Sequence, residues 1–131
     1  MVPFVELYKS ILNGINKLGV TTYTPSQEIP KKLPVCRVSI LNGDPNEYVK
    51  NARQYSYSIQ IDVVTSENAL EQGLVIAYKV VRLLSKVALD GFSVQLNGEP
   101  SFSSMVDTST NRVLNRQIIR VNYNIIEDTA F

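Results

Sequence analysis

Residues 54–73 read "QYSYSIQIDVVTSENALEQG", and a change of period inside them decides the fold. Tyr55, Tyr57, Ile59, Ile61 and Val63 alternate with Gln54, Ser56, Ser58, Gln60 and Asp62. Successive side chains of a strand point to opposite faces, so residues 54–64 form a long strand with one dry and one wet face. At Thr65-Ser66 the period lengthens to that of a helix. Thr65 or Ser66 is a natural N-cap, and Glu67 adds a charge that suits a helix start. The helix is expected over 67–88. Its main stripe is Leu70, Leu74, Ala77, Val81 and Leu84, widened by Ile76, Val80, Leu83 and Val87. Glu71, Gln72, Lys79, Arg82 and Lys86 are polar. An apolar arc this wide packs on more than one neighbour. It is either the central core helix or a helix with part of its arc against another subunit.

Working outward, residues 112–128 form a second long alternating strand. Ile119, Val121, Tyr123 and Ile125 are its dry side, and Arg116, Ile118, Arg120, Asn122, Asn124 and Ile126 its mostly wet one. Residues 3–18 read as an amphipathic helix through Phe4, Leu7, Tyr8, Ile11, Leu12, Ile15 and Leu18. Pro3 suits its first turn and Gly19 its end. Residues 20–23 could be a short edge strand. Three prolines make the rest of 20–34 an extended surface loop. Residues 35–41 are a strand. Residues 42–53, "NGDPNEYVKNAR", are rich in turn formers and predict a projecting polar loop. Residues 90–106 predict a hairpin about Asn97-Gly98, a strong turn signal. Residues 107–111 predict a polar loop. The expected order is α-β-β-α-β-β-β: one α+β domain over 1–131. Its sheet is mixed or antiparallel, both helices pack on one face, and the other face is open.

Composition narrows the function. At 131 residues the chain suits one domain, and 44 % hydrophobic with 19 % charged residues is ordinary globular composition. The 13 Lys and Arg against 12 Asp and Glu leave a net charge of +1, far from the basic excess of proteins that grip nucleic-acid phosphates. The N-terminus shows no signal peptide, and no apolar run reaches the roughly 20 residues that span a bilayer. The single Cys36 cannot form an internal bridge, which points to a reducing setting. Without a histidine it has no base to activate it, so it reads as a buried small hydrophobe.

No motif carries catalysis. The absence of His removes Ser–His–Asp and Cys–His triads and His-ligated metals. No phosphate-binding glycine motif or nucleophile elbow is present. Neither catalytic, cofactor nor metal residues are therefore assigned, and no enzyme is expected. Asp44, Glu47, Asp62, Asp107, Glu127 and Asp128 could in principle supply a carboxylate pair, but only Asp62 lies on a wet strand face, where it would be solvated or salt-bridged. Arg112, Arg116 and Arg120 share one parity. They could touch a nucleic-acid backbone, pair with partners such as Asp62, or fit a neighbouring subunit. Near-zero net charge, with no exposed aromatics interleaved, favours the pairing readings.

The order of these segments resembles the tail terminator (tail completion) and tail-to-head joining proteins of long-tailed bacteriophages. The pieces that carry the resemblance are the N-terminal helix, "LPVCRVSIL" (33–41), "YSYSIQIDVVTS" (55–66) running into "ENALEQGLVIAYKVVRLLSK" (67–86), and the last strand ending "IIRVNYNIIED" (118–128). The resemblance covers almost the whole chain. It implies a small virion structural protein that forms a ring, commonly a hexamer. The ring caps the finished tail tube, presents a surface to the head connector and lets DNA pass through its lumen without specific binding. Assembly in the host cytoplasm, a final place in the virion tail, the tail tube and connector proteins as partners, no cofactor and no membrane all follow from it. A neck protein of the same fold is the close alternative, and a small nucleic-acid-binding α+β module the distant one. The wet faces and loops would meet neighbours or line the channel. The candidate assembly or lumen residues are Gln54, Ser56, Ser58, Gln60, Asp62, Arg116, Arg120, Asn122 and Asn124, with loops 42–53 and 107–112. Ser, Asn and Gln suit such a face because they lose water more cheaply than charges do.

Overall fold

The computed structural model describes residues 2–49 and 52–128. Two helices and six strands follow in the order α1 (Pro3–Lys17), β1 (Thr21–Tyr23), β2 (Val35–Val49), β3 (Ala52–Ser66), α2 (Leu70–Leu84), β4 (Phe92–Leu96), β5 (Ser101–Asp107) and β6 (Leu114–Asp128). The chain is α+β. The two long alternating segments, β3 and β6, pair antiparallel over their full lengths. The register sets Ile61 opposite Ile119, Ile59 opposite Val121, Tyr57 opposite Tyr123 and Tyr55 opposite Ile125. Their dry faces therefore merge into one apolar floor. Both helices lie on it, with Leu7, Ile11 and Ile15 of α1 and Ile76, Ala77, Val80 and Leu84 of α2 in the same buried cluster. The sheet order is β1-β2-β3-β6-β4, with β5 also on β6. It is mixed, because β1 runs parallel to β2 and every other pair is antiparallel.

Four details differ from the sequence reading. Residues 42–49 and 52–53 are strand, not a projecting loop. β2 takes up its turn-forming residues through two register shifts, between Ile40 and Asn42 and between Pro45 and Glu47. β1 covers β2 only from Val35 to Arg37, so this part of β2 is an edge, where a proline breaks no ladder. Gly43 lies under the Tyr57 ring, which fills the space a side chain would need. Lys50 and Asn51, the rest of the expected loop, lie outside the described residues.

Residues 90–106 do not fold back as a hairpin. β4 and β5 both run antiparallel to β6 and lie end to end along the same edge. Leu96 pairs with Tyr123 and Ser101 with Arg120, so five steps of chain pass three steps of β6. Asn97 and Gly98 absorb the excess. Asn97 N–H donates to the Asn122 carbonyl at 2.8 Å, and Gly98 has φ +81°. The Asn-Gly pair marks a jog in one interrupted strand because β6 is long enough to template both halves.

α2 begins later than expected and is rotated. β3 runs on to Ser66, which pairs with Leu114, and Thr65 is fully buried, so neither residue caps the helix. Ala69 is the N-cap. The buried face is Gly73, Ile76, Ala77, Val80 and Leu84, while Leu70 and Leu74 are 44 % and 42 % exposed. Gly73 sets this rotation: a Cβ there would meet Thr65 Oγ1 at 3.1 Å, so the helix touches the sheet through its glycine side. The far end is fixed by Tyr123, whose hydroxyl donates to the Leu84 carbonyl at 2.6 Å.

The second face is not open throughout. Tyr23, Val35, Val64 and Leu114 form a small second core there, covered by Ile29 and Leu33 from the 24–34 loop. The rest of that face carries the polar residues.

Two tests follow. No atom lies within 4 Å of the Cβ position at Gly98, so the effect of Gly98→Ala is backbone strain alone. It should lower unfolding free energy by about 1–2 kcal/mol in a denaturant titration. Cys36 is fully buried, and that burial, with the charge of Asp62, pushes its thiol up to about 12. Native protein should resist maleimide at neutral pH and react stoichiometrically once unfolded; prompt labelling of native protein would contradict this.

Candidate assembly surface

The nine candidate residues lie on one face of β3 and β6, the face away from the helices, and divide into two parts. Gln60, Ser58 and Ser56 stand opposite Arg120, Asn122 and Asn124, and each rung closes with a hydrogen bond. Arg120 Nε donates to Gln60 Oε1 at 2.8 Å, Ser58 Oγ to Asn122 Oδ1 at 2.6 Å and Ser56 Oγ to Asn124 Oδ1 at 3.0 Å. Gln54 continues the row opposite Ile126. The alternation of both strands creates this ladder, since cross-strand polar pairs on one face are neighbours by geometry. Ser58, Gln60, Asn124 and their neighbours remain partly or fully exposed. The ladder is a flat, largely uncharged surface whose hydrogen bonds are already made within the chain. Covering it strands few polar groups.

Asp62 and Arg116 belong to the other part. They are buried, with 2 % and 8 % exposure, in a knot of alternating charge. Asp62 Oδ2 accepts from Arg37 Nη2 at 3.0 Å and from Arg116 Nη1 at 3.1 Å. Arg116 Nε donates to Asp107 Oδ2 at 2.6 Å. Asp107 Oδ1 accepts from the Ser109 backbone N–H at 2.9 Å and its hydroxyl at 2.6 Å. These Ser109 bonds, followed by the Arg116 bond, hold the Asp107 carboxyl down at about 2. Gln60 Nε2 joins the two parts by donating to Asp62 Oδ1 at 2.9 Å. The knot pins the start of the 107–113 loop to the sheet. Arg112 pins the same loop to the 24–34 segment through the Pro30 and Lys31 carbonyls, both at 3.2 Å.

Of the three arginines on one parity, Arg116 and Arg112 are thus occupied within the fold and Arg120 alone stands exposed. Pairing with Asp62 is what Arg116 does. Arg37 and Asp107 complete the knot and were not singled out for it. Arg37 was legible in principle, because it shares the wet parity of a neighbouring strand. Asp107 comes in through the interrupted β4–β5 strand, which the Asn-Gly signal concealed. The side chains of Asp44, Glu47 and Asp128 lie outside the described residues. Among the described residues no group of three or more His, Cys, Asp or Glu could hold a metal. An open groove of about 710 Å³ runs between α1 and the end of α2, past Lys9, Asn13, Leu83 and Lys86. The lysines on its rim are exposed.

The fold is shared. In all, 28 solved chains match it. One of them, whose description carries no functional term, superposes with a TM-score of 0.65 over 92 % of this chain and 91 % of its own, at 12 % identity. A likeness at that identity shows the fold alone. No family model and no curated protein matches the chain.

The knot and the ladder should respond differently to substitution. Arg116→Met leaves the buried Asp107 carboxylate without its cation and Asp62 with Arg37 alone, and should lower stability by about 3–5 kcal/mol. Arg120→Ala removes one exposed rung and should change it by less than about 1 kcal/mol. Asp107 has a depressed native pKa, so its contribution is fully present above its ordinary value of 3.8 and fades as pH falls toward about 2. In urea titrations between pH 5 and 2, Asp107→Asn should lower stability at the upper end and converge on wild type at the lower; a constant difference would contradict the role given to Asp107.

Proposed function

We propose that the chain is a virion structural protein: a ring-forming tail terminator that caps the completed tail tube of a long-tailed phage and offers the surface for the head connector. The observation that carries this reading is the largely uncharged, internally bonded ladder of Ser56, Ser58, Gln60, Asn122 and Asn124, with Arg120 as its one cation, on an uncovered part of the sheet face. A face that the tail tube or the connector covers, or that lines the channel, must stay soluble in the free subunit and desolvate cheaply on contact. A channel for DNA needs walls that do not hold phosphate, and a face with Arg120 as its exposed cation next to a net charge of +1 meets that need. The order of elements, an amphipathic helix, two long strands joined to a helix and a last long strand, supports the same reading through its resemblance to terminators. Assembly takes place in the host cytoplasm, and the protein ends in the virion tail, with the tube and connector proteins as partners and no cofactor. A hexamer is the expected ring.

A neck protein of the same fold would use the same ladder and differ in its partners. The small nucleic-acid module is less well supported, because all three arginines it needs are bonded within the fold and only Arg120 is fully exposed.

Light scattering and negative-stain microscopy across a concentration series, with and without tail tube protein, test the proposal. Rings are expected, with a salt-titrated DNA-binding assay giving weak binding or none at about 0.15 M salt. Protein that stays monomeric even with tube protein, or binds DNA tightly with steep salt dependence, would overturn it.

A further inference from the structure

The polar ladder leaves a different surface unexplained. Gly14 of α1 meets Leu83 of α2, which fixes the flank of α2 that faces α1. At about 3.6 residues per turn, Leu70, Leu74 and Tyr78 stand on the opposite flank. The N-terminal half of α2 lies over Thr65 and Gln117, because Gly73 approaches both. Gln117 pairs with Ser104 of β5. Phe102 and Val106 share the side of Ser104, so they lie beside that flank on the helix face of the sheet. These five side chains are exposed: Leu70 44 %, Leu74 42 %, Tyr78 62 %, Phe102 51 % and Val106 59 %. At roughly 200 Å² for a large side chain, half-exposure of five leaves on the order of 500 Å² of apolar surface. That is near the top of the range for a monomer's largest patch. It is also more than half of the about 800 Å² each partner buries in a standard interface.

The strand beside the patch is an unguarded edge. Among the described residues β5 pairs only with β6. From 101 to 106 its sequence is Ser-Phe-Ser-Ser-Met-Val, with no lysine, proline or acidic residue of the kind that usually blocks pairing at an edge. The same sheet has a second free edge at its far side. β1 covers β2 only as far as Arg37, and beyond it Ile40 and Leu41 are 42 % and 47 % exposed. Ile40 is on the helix face, as Phe102 and Val106 are. β5 runs parallel to β3 through β6, and β2 runs antiparallel to β3, so β2 of a copy placed head to tail meets β5 antiparallel.

We infer that a second copy of this chain covers the α2–β5 surface, its β2 edge pairing with β5 and its Ile40 and Leu41 packing on Phe102, Val106 and the α2 flank. Two unlike edges of one sheet joined in this way make a heterologous contact, which closes into a ring when the rotation allows. The inference rests on the ring reading and assigns its subunit contact to this edge and not to the polar ladder.

The test uses the full chain at concentrations where it assembles, with tail tube protein added if assembly requires it. Phe102→Lys and Val106→Lys change exposed side chains and should leave the circular dichroism spectrum intact, while raising the concentration for half-assembly more than about tenfold. Gln72→Ala, an exposed change on the Leu83 flank of α2, should leave that concentration unchanged. A chain carrying both Leu41→Cys and Val106→Cys should give a ladder of cross-linked oligomers with a short bismaleimide, and each single variant should not. If wild type forms rings but the lysine variants assemble equally well and no ladder appears, this contact is wrong and the ring stands. Dimers from Val106→Cys alone would overturn the head-to-tail pairing in favour of a twofold one. Wild type that never assembles would remove the ring reading and this contact together.

Discussion

The antiparallel ladder between Ala52–Ser66 and Leu114–Asp128 is the constraint on which the rest of the molecule depends. It runs without a register shift, so each face of the two strands is decided as a whole. A slip of one residue would put Ser58, Gln60 and Asn122 under the helices and Ile59, Ile61 and Val121 in water. The helices, the small second core and the polar ladder all take their positions from this single pairing. β6 also templates β4 and β5 along its other edge, so one strand organises both sides of the sheet.

The second consequence lies at the edges. A sheet built on two long central strands ends in shorter or irregular ones. β1 covers three residues of β2, and β5 is exposed from Ser101 to Val106. Proteins that remain monomers usually guard such edges with charge or bulges. Here β2 is bulged between Ile40 and Asn42 and between Pro45 and Glu47, and β5 has no guard from Ser101 to Val106, its one charge, Asp107, being held in the knot. The charge knot of Arg37, Asp62, Arg116 and Asp107 anchors the end of β5 to the sheet, which holds this edge in a fixed orientation. Buried ion networks of this kind are a weak source of net stability. Their effect here is to position the strand.

The central strands were legible because alternation over ten residues or more admits few other structures, and the buried faces of β3 and β6 are the ones their sequences mark. The edges were not. In 42–53 the turn formers Asn42, Gly43, Asp44 and Pro45 suggest a loop, yet they sit in an edge strand because β3 supplies a template and two bulges absorb the misfit. Asn97-Gly98 carries a hairpin signal, but its positive φ serves a jog along β6. For α2 the apolar arc is wider than the contact, and periodicity cannot say which part of a wide arc is buried; Gly73 decides it by close approach to Thr65 and Gln117. The candidate face was legible as a face. Its division into an exposed ladder and a buried knot depends on Asp107, brought in by the unforeseen course of β5.

If the molecule is a ring subunit closed through its sheet edges, its backbone amides should report it. Amide hydrogen exchange followed by mass spectrometry, on dilute and assembled protein, measures this strand by strand. Assembly should slow exchange in residues 101–106 and in the outer edge of β2 from 38 to 43, leaving the already protected amides of β3 and β6 unchanged. Assembled protein in which both edges exchange as fast as in the dilute chain would contradict the account.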